Sequence, residues 1–165
     1  MKLIKWIVNL LTSLIVIVGI IVAGLYVLGI KPYIVLSGSM EPAIKTGSLC
    51  FINNHAKYEN IKEKDIIAFK SGDVLVTHRV ISITDEGMET KGDANSVADG
   101  LVITKSNYVG KNVFSIPFVG YIIKSFQTKK GKIIIGTVIV LLFLAAFLFG
   151  EADKKKEKKE KVKNK

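Results

Sequence analysis

Val74-Leu-Val-Thr-His-Arg-Val-Ile-Ser-Ile83 is a run of β-branched and apolar residues interleaved with polar ones. It predicts the longest strand of the chain. Side chains alternate across a strand, so Val74, Val76, His78 and Val80 share one face, and Leu75, Thr77, Arg79, Ile81 and Ile83 the other. Ser71-Gly-Asp73 punctuates its start, and Asp85-Glu-Gly87 after it is a hairpin signal leading into 88–91. Shorter strands are expected at 33–36, 49–53, 65–70, 101–104 and 113–118. No useful stretch of helical period lies between 31 and 120. The pattern predicts a mainly β fold, with an antiparallel β domain at its centre.

Outward from that domain the composition changes. Hydrophobic residues are 49% of the 165, concentrated towards the two ends. Residues 6–30 hold no charged side chain. As a helix rising about 1.5 Å per residue they would reach about 37 Å, enough to cross a hydrocarbon core of about 30 Å with some tilt. A cleavable leader has an apolar stretch of only about 7–15 residues and ends in a small-residue site. This run is longer and has no clear site of that kind, so it reads as a retained anchor. Residues 133–150 are almost uniformly apolar and leave no polar face for a buried or interfacial helix, so they read as a second span. The expected organisation is a cytoplasmic N-terminus at 1–5, an anchor at 6–30, an extracytoplasmic β catalytic domain at 31–132, a second transmembrane helix at 133–150 and a basic cytoplasmic tail at 151–165.

The formal net charge is +10. A basic chain invites a nucleic-acid reading, but the densest lysine cluster follows an apolar span, where eight lysines stand against four acids in 151–165. That suits a cytoplasmic flank or contact with anionic lipid, and no nucleic-acid partner is expected. Lys124, Lys129, Lys130 and Lys132 would lie on the outer side and weaken the bias. Cys50, the single cysteine, sits in the apolar run Ser48-Leu-Cys-Phe-Ile52 and reads as a core residue. It can form no intrachain disulfide. Two histidines and one cysteine, widely spaced, do not make a metal site, and no cofactor is expected.

Ser37-Gly-Ser-Met-Glu-Pro42 follows an apolar strand a few residues beyond the first span. Alone it reads as an ordinary Ser/Gly turn, although such a turn can expose the Ser39 hydroxyl. A serine nucleophile needs a base. His55 lies in a polar loop, while His78 stands mid-strand among valines, where the usual reading is a core histidine and the alternative a general base at neutral pH. Lys91-Gly-Asp-Ala-Asn95, with Asp99 beyond it, is a polar loop that can supply a carboxylate to orient the imidazole. Spacing alone does not bring these groups together.

The ordered segments resemble the type I signal peptidases, in the endoplasmic-reticulum and archaeal branch that includes the SipW-like bacterial enzymes. Val35-Leu-Ser-Gly-Ser-Met-Glu-Pro42 is similar to that family's serine box, Thr77-His-Arg-Val80 to its base box, and Thr90-Lys-Gly-Asp-Ala-Asn95 to its last catalytic box. Gly110-Lys111, Ile116-Pro117 and Gly120-Tyr121 resemble the segment that closes the domain before a second span. A lysine stands in the bacterial branch where His78 stands here, so the histidine assigns the branch. One departure is Lys64-Asp65, where the family has a Gly-Asp pair; it puts local turn geometry in doubt more than chemistry.

The resemblance implies a membrane-bound serine endopeptidase that removes signal peptides from secretory preproteins. Ser39 would be the nucleophile, His78 the base and Asp99 the orienting carboxylate. Asp93 would support the loop or share that last role. The Ser39 N–H and the Ser37 hydroxyl would form the oxyanion hole. The resemblance also implies small residues at the cleavage site, and Met40 would either line that pocket or simply pack. The competing readings are a non-catalytic membrane-anchored subunit or scaffold of a processing complex, and a self-cleaving repressor-type serine protease. The second would need a DNA-binding module where this chain has an apolar span.

Overall fold

The computed structural model describes residues 2–163, and side chains within 3–149. The chain divides into two compact units. One comprises residues 24–125, and the other the helical residues before and after them.

In the helical unit, α1 runs over Lys2–Val27 and α3 over Lys129–Lys163. Leu3–Val27 and Lys129–Phe149 are each long and apolar enough to cross a membrane, with a mean hydropathy of 2.7. A polar residue inside such a segment must satisfy its own hydrogen bonds. Thr12 does so by donating its hydroxyl to the Val8 carbonyl at 2.8 Å. Two expected boundaries move. α1 ends at Val27, short of residue 30, because Gly29 turns the chain at φ 76° and β1 begins at Ile30. α3 is one helix continuing past residue 150, since the lysine-rich stretch beyond has good helix formers and no breaker up to Lys163. Residues 164 and 165 of the expected tail lie outside the described residues.

The unit at 24–125 is built on a six-stranded sheet, antiparallel throughout. Its strands are β1 (Ile30–Ile34), β2 (Leu49–Asn53), β3 (Ile66–Ser71), β4 (Val74–Thr84), β5 (Gly87–Lys91) and β6 (Tyr108–Ile116), in the spatial order β1-β2-β6-β3-β4-β5. A short helix α2 (Val119–Phe126) follows. The stretch 101–104 contributes only a bridge between Ile103 and Met88, and β6 starts earlier than expected and stops before Pro117.

Each face of the sheet carries a buried apolar cluster. Alternation along β3 sends Ile67 and Phe69 into a cluster with Ile61, Val80, Met88 and Ile103, and Ala68 into a second with Met40, Ile44, Cys50 and Ile52. Along β4 the predicted alternation holds as far as Val80. Between Val80 and Ser82 the register to β5 slips by one residue, and Ile81 and Ile83 are exposed. Such a bulge depends on the partner strand.

Candidate active site

His78 is fixed by its place in β4. It lies opposite Ile67 of β3, on the same face as Val80, and is buried to 7% exposure with its ring edge-on to Phe69. Ser39 comes from the turn after β1. Glu41 N–H donates to Gly38 O at 3.0 Å and Ile44 N–H to Met40 O at 2.8 Å. Met40 and Ile44, both buried, anchor that turn in the core. The Glu41 carboxylate accepts the Thr46 N–H at 3.1 Å and the Thr46 hydroxyl at 2.8 Å. Those two bonds from Thr46 hold the Glu41 carboxyl below its ordinary value. The buried Met40 thus nails the turn down and leaves the neighbouring Ser39 hydroxyl partly exposed.

The two elements meet. Ser39 Oγ lies 2.9 Å from His78 Nε2, and His78 Nδ1 lies 2.6 Å from Asp99 Oδ2. With Asp99 ionised, Nδ1–H donates to the carboxylate, and Nε2 is left as acceptor for the Ser39 hydroxyl. Ser37 Oγ stands 3.3 Å from Ser39 Oγ, on the exposed side of the turn.

The two candidate aspartates have different partners. Asp93 takes Arg79 bidentately, with Nε donating at 2.7 Å and Nη2 at 2.6 Å, while Arg79 Nη1 donates to the Lys64 carbonyl at 2.8 Å. The Asp93 carboxylate keeps the Arg79 guanidinium above its ordinary value. Asp93 therefore ties the 91–95 loop to β4, and Asp99 faces the imidazole. The loop also backs Ser39. Ala94 N–H donates to the Ser39 carbonyl at 2.9 Å. A Cβ on Gly92 would lie 2.6 Å from that same oxygen, so a glycine is required for the close approach.

Lys64, where the family pattern has glycine, adopts φ 73°. This is the left-handed conformation that glycine takes without cost and a lysine does not. The departure leaves the turn intact: Lys64 N–H donates to Val80 O at 2.9 Å. Asp65 accepts the Lys62 N–H at 3.0 Å and pairs with Lys111 at 2.8 Å.

Ser37, Ser39, Met40 and His78 line a cleft of about 640 Å³ whose other walls include Val35, Ile44, Leu75 and Val76. Cys50 also borders it but is fully buried, and burial pushes its thiol up to about 11, so it is inert at neutral pH. His55 is exposed, as its loop setting suggested.

Sequence reasoning gave no role to Thr90. It is completely buried, and its hydroxyl donates to Asp99 Oδ2 at 2.7 Å. The signal was present: Met88 and Thr90 alternate inward along β5, which puts a polar residue at a core-facing position.

A family model described as signal peptidase, peptidase S26, matches residues 3–115, most of the chain and every residue of the Ser39–His78–Asp99 row. The chain belongs to this family. Among curated relatives it is similar to signal peptidase I W of Bacillus subtilis, 38% identical over 78 residues, covering 44% of this chain and 41% of that protein. It is 37% identical over 103 residues to the signal peptidase complex catalytic subunit sec11 of Sclerotinia sclerotiorum, covering 54% of this chain and 59% of the relative. It is 38% identical over 103 residues to the signal peptidase complex catalytic subunit SEC11C of Homo sapiens, covering 54% and 53%. The chain thus spans about half the length of the curated relatives it matches. Likeness to both a bacterial enzyme and complex subunits fits the branch that His78 suggested.

Proposed function

We propose that this chain is a membrane-bound serine endopeptidase that removes signal peptides from secretory preproteins. The observation that carries the reading is the row Ser39 Oγ, His78 Nε2, His78 Nδ1, Asp99 Oδ2, with contacts of 2.9 and 2.6 Å. Family membership supplies the substrate class.

In this mechanism His78 takes the Ser39 proton as Oγ attacks the scissile carbonyl. Asp99 holds the imidazole in the tautomer that leaves Nε2 free and stabilises the cation that forms. The Ser39 N–H and the Ser37 hydroxyl meet the charge that develops on the carbonyl oxygen. The imidazolium then protonates the leaving amine. A water deprotonated by the same base releases the acyl group and restores Ser39. Asp93 supports the site through Arg79 and does not touch the imidazole. The apolar cleft beside Ser39, with Met40 in its wall, takes the small side chains that precede the cut.

The proposed topology puts the apolar segments Leu3–Val27 and Lys129–Phe149 across the cell membrane, both termini in the cytoplasm, and the β domain between them outside. A signal peptide is itself an apolar helix held in the bilayer. Tethering enzyme and substrate to one membrane raises their effective concentration. The sec11 relatives are named as subunits of a complex, and accessory subunits are proposed here on that likeness alone. The test is to incubate the detergent-solubilised chain with a purified model preprotein and sequence the product. A new N-terminus just beyond the signal peptide's apolar segment is expected. An uncut preprotein under conditions where the chain is folded would reject the reading in favour of a non-catalytic subunit.

A further inference from the structure

We propose that Thr90 is a positioning residue, whose hydroxyl holds the Asp99 carboxylate in line with His78. The proposal rests on the serine-protease reading above and extends it to a residue outside the triad.

The register of the sheet puts Thr90 where it is needed. Thr90 lies opposite Val80 across the β4–β5 pair, just before the slip at Ile81. Its side chain therefore shares the face of Val80 and His78. It is fully buried, with Val80 and Met88 of the adjoining core almost as deep. A hydroxyl at such a position must be paired or it costs stability. Its partner is Asp99 Oδ2 at 2.7 Å, the same oxygen that accepts His78 Nδ1–H at 2.6 Å. Thr90 also grips Asp99 through the backbone, since the Asp99 N–H donates to the Thr90 carbonyl at 2.9 Å.

Asp99 follows a stretch of turns and bends, and a carboxylate on such a segment can rotate about its side-chain torsions. Two donors converging on one oxygen fix that rotation. Without the hydroxyl, the imidazole is the one side-chain partner left to the carboxylate among the described residues. The imidazole then loses its fixed acceptor and its preference for Nδ1 protonation. The rate of proton transfer falls, while substrate contacts in the cleft are untouched.

The experiment compares Thr90→Ser, Thr90→Ala and Thr90→Val in the full chain in detergent. Ser and Ala both remove the methyl group, and only Ala removes the hydroxyl, so the pair isolates the hydrogen bond even if the Val variant does not fold. The readouts are kcat and KM for a model preprotein, and ¹⁵N spectra of histidine-labelled protein. Only two histidines are present, so the His78 tautomer is read directly. Thr90→Ala is expected to lower kcat tenfold or more with KM within twofold, and to shift His78 away from Nδ1–H. Thr90→Ser should stay within threefold of the parent and keep its tautomer. Any result in which Ala and Ser behave alike overturns the proposal. If the parent protein cuts no preprotein yet its His78 tautomer still depends on the Thr90 hydroxyl, the activity reading fails and the role of Thr90 stands.

Discussion

Arg79 and Asp93 form a two-pronged pair, with bonds of 2.7 and 2.6 Å, on the opposite face of β4 from His78. That pairing separates two aspartates six residues apart in sequence. The Arg79 guanidinium, next to His78 in the chain and pointing the other way, captures Asp93 and leaves Asp99 to the imidazole.

The separation is testable by comparing Asp93→Asn with Asp99→Asn. Asp99→Asn should reduce kcat by about 10³-fold with the fold intact, because an amide no longer fixes the tautomer or stabilises the imidazolium. Asp93→Asn leaves a partly buried guanidinium short of its partner, and should cost about 1–2 kcal/mol of stability. Thermal unfolding and steady-state cleavage on the same samples check this. Equal kinetic defects with equal stability would erase the distinction.

Gly92→Ala should damage activity more than stability. Its Cβ would stand 2.6 Å from the Ser39 carbonyl oxygen, a backbone atom, so the added methyl pushes on the Ser39 turn directly. A shift of about 1 Å at a reacting atom costs about 10²-fold in rate. Cleavage kinetics near the parent value would show that the loop can give way instead.

The strand that carries His78 was legible because alternation and β-branching act within a few residues. The slip at Ile81 was not, because a bulge is a relation between two strands. The Ser39 turn read as ordinary on its own six residues. The close fit that distinguishes it, Met40 packed against Cys50, Ile52 and Ala68 and Gly92 pressed against the Ser39 carbonyl, depends on partners farther along the chain. Thr90 was visible only as a polar residue in a core-facing register. The end of α1 was misjudged because apolar composition continues from helix into strand, and the break lies in the backbone of Gly29.

Lys64→Gly should stabilise the protein by about 0.5–1 kcal/mol without changing kcat. Lys64 holds φ 73° with an exposed side chain, and the relief of a left-handed lysine exceeds the added entropy of glycine in the unfolded chain. Denaturant titration measures it. Destabilisation would mean that the lysine side chain supports the turn.

The Asp65–Lys111 pair predicts an acid-side loss of stability. Partial burial raises the Asp65 carboxyl, but hydrogen bonds from Lys111 and the Lys62 N–H outweigh it and hold the group below its ordinary 3.8. A depressed carboxylate contributes stability above its unfolded value and loses it as pH falls through the folded one. Lys111→Met should therefore lower the melting temperature at pH 7. Its deficit against the parent should shrink as pH drops below about 4. A deficit constant from pH 7 to pH 3 would assign the role of Lys111 to packing.

The most direct measurement is preprotein cleavage by the parent protein and by Ser39→Ala, each purified folded in detergent and compared at equal concentration. Loss of cleavage by about 10³-fold or more in the variant, with an unchanged melting curve, is predicted. Retained cleavage at the same bond by Ser39→Ala would contradict the account.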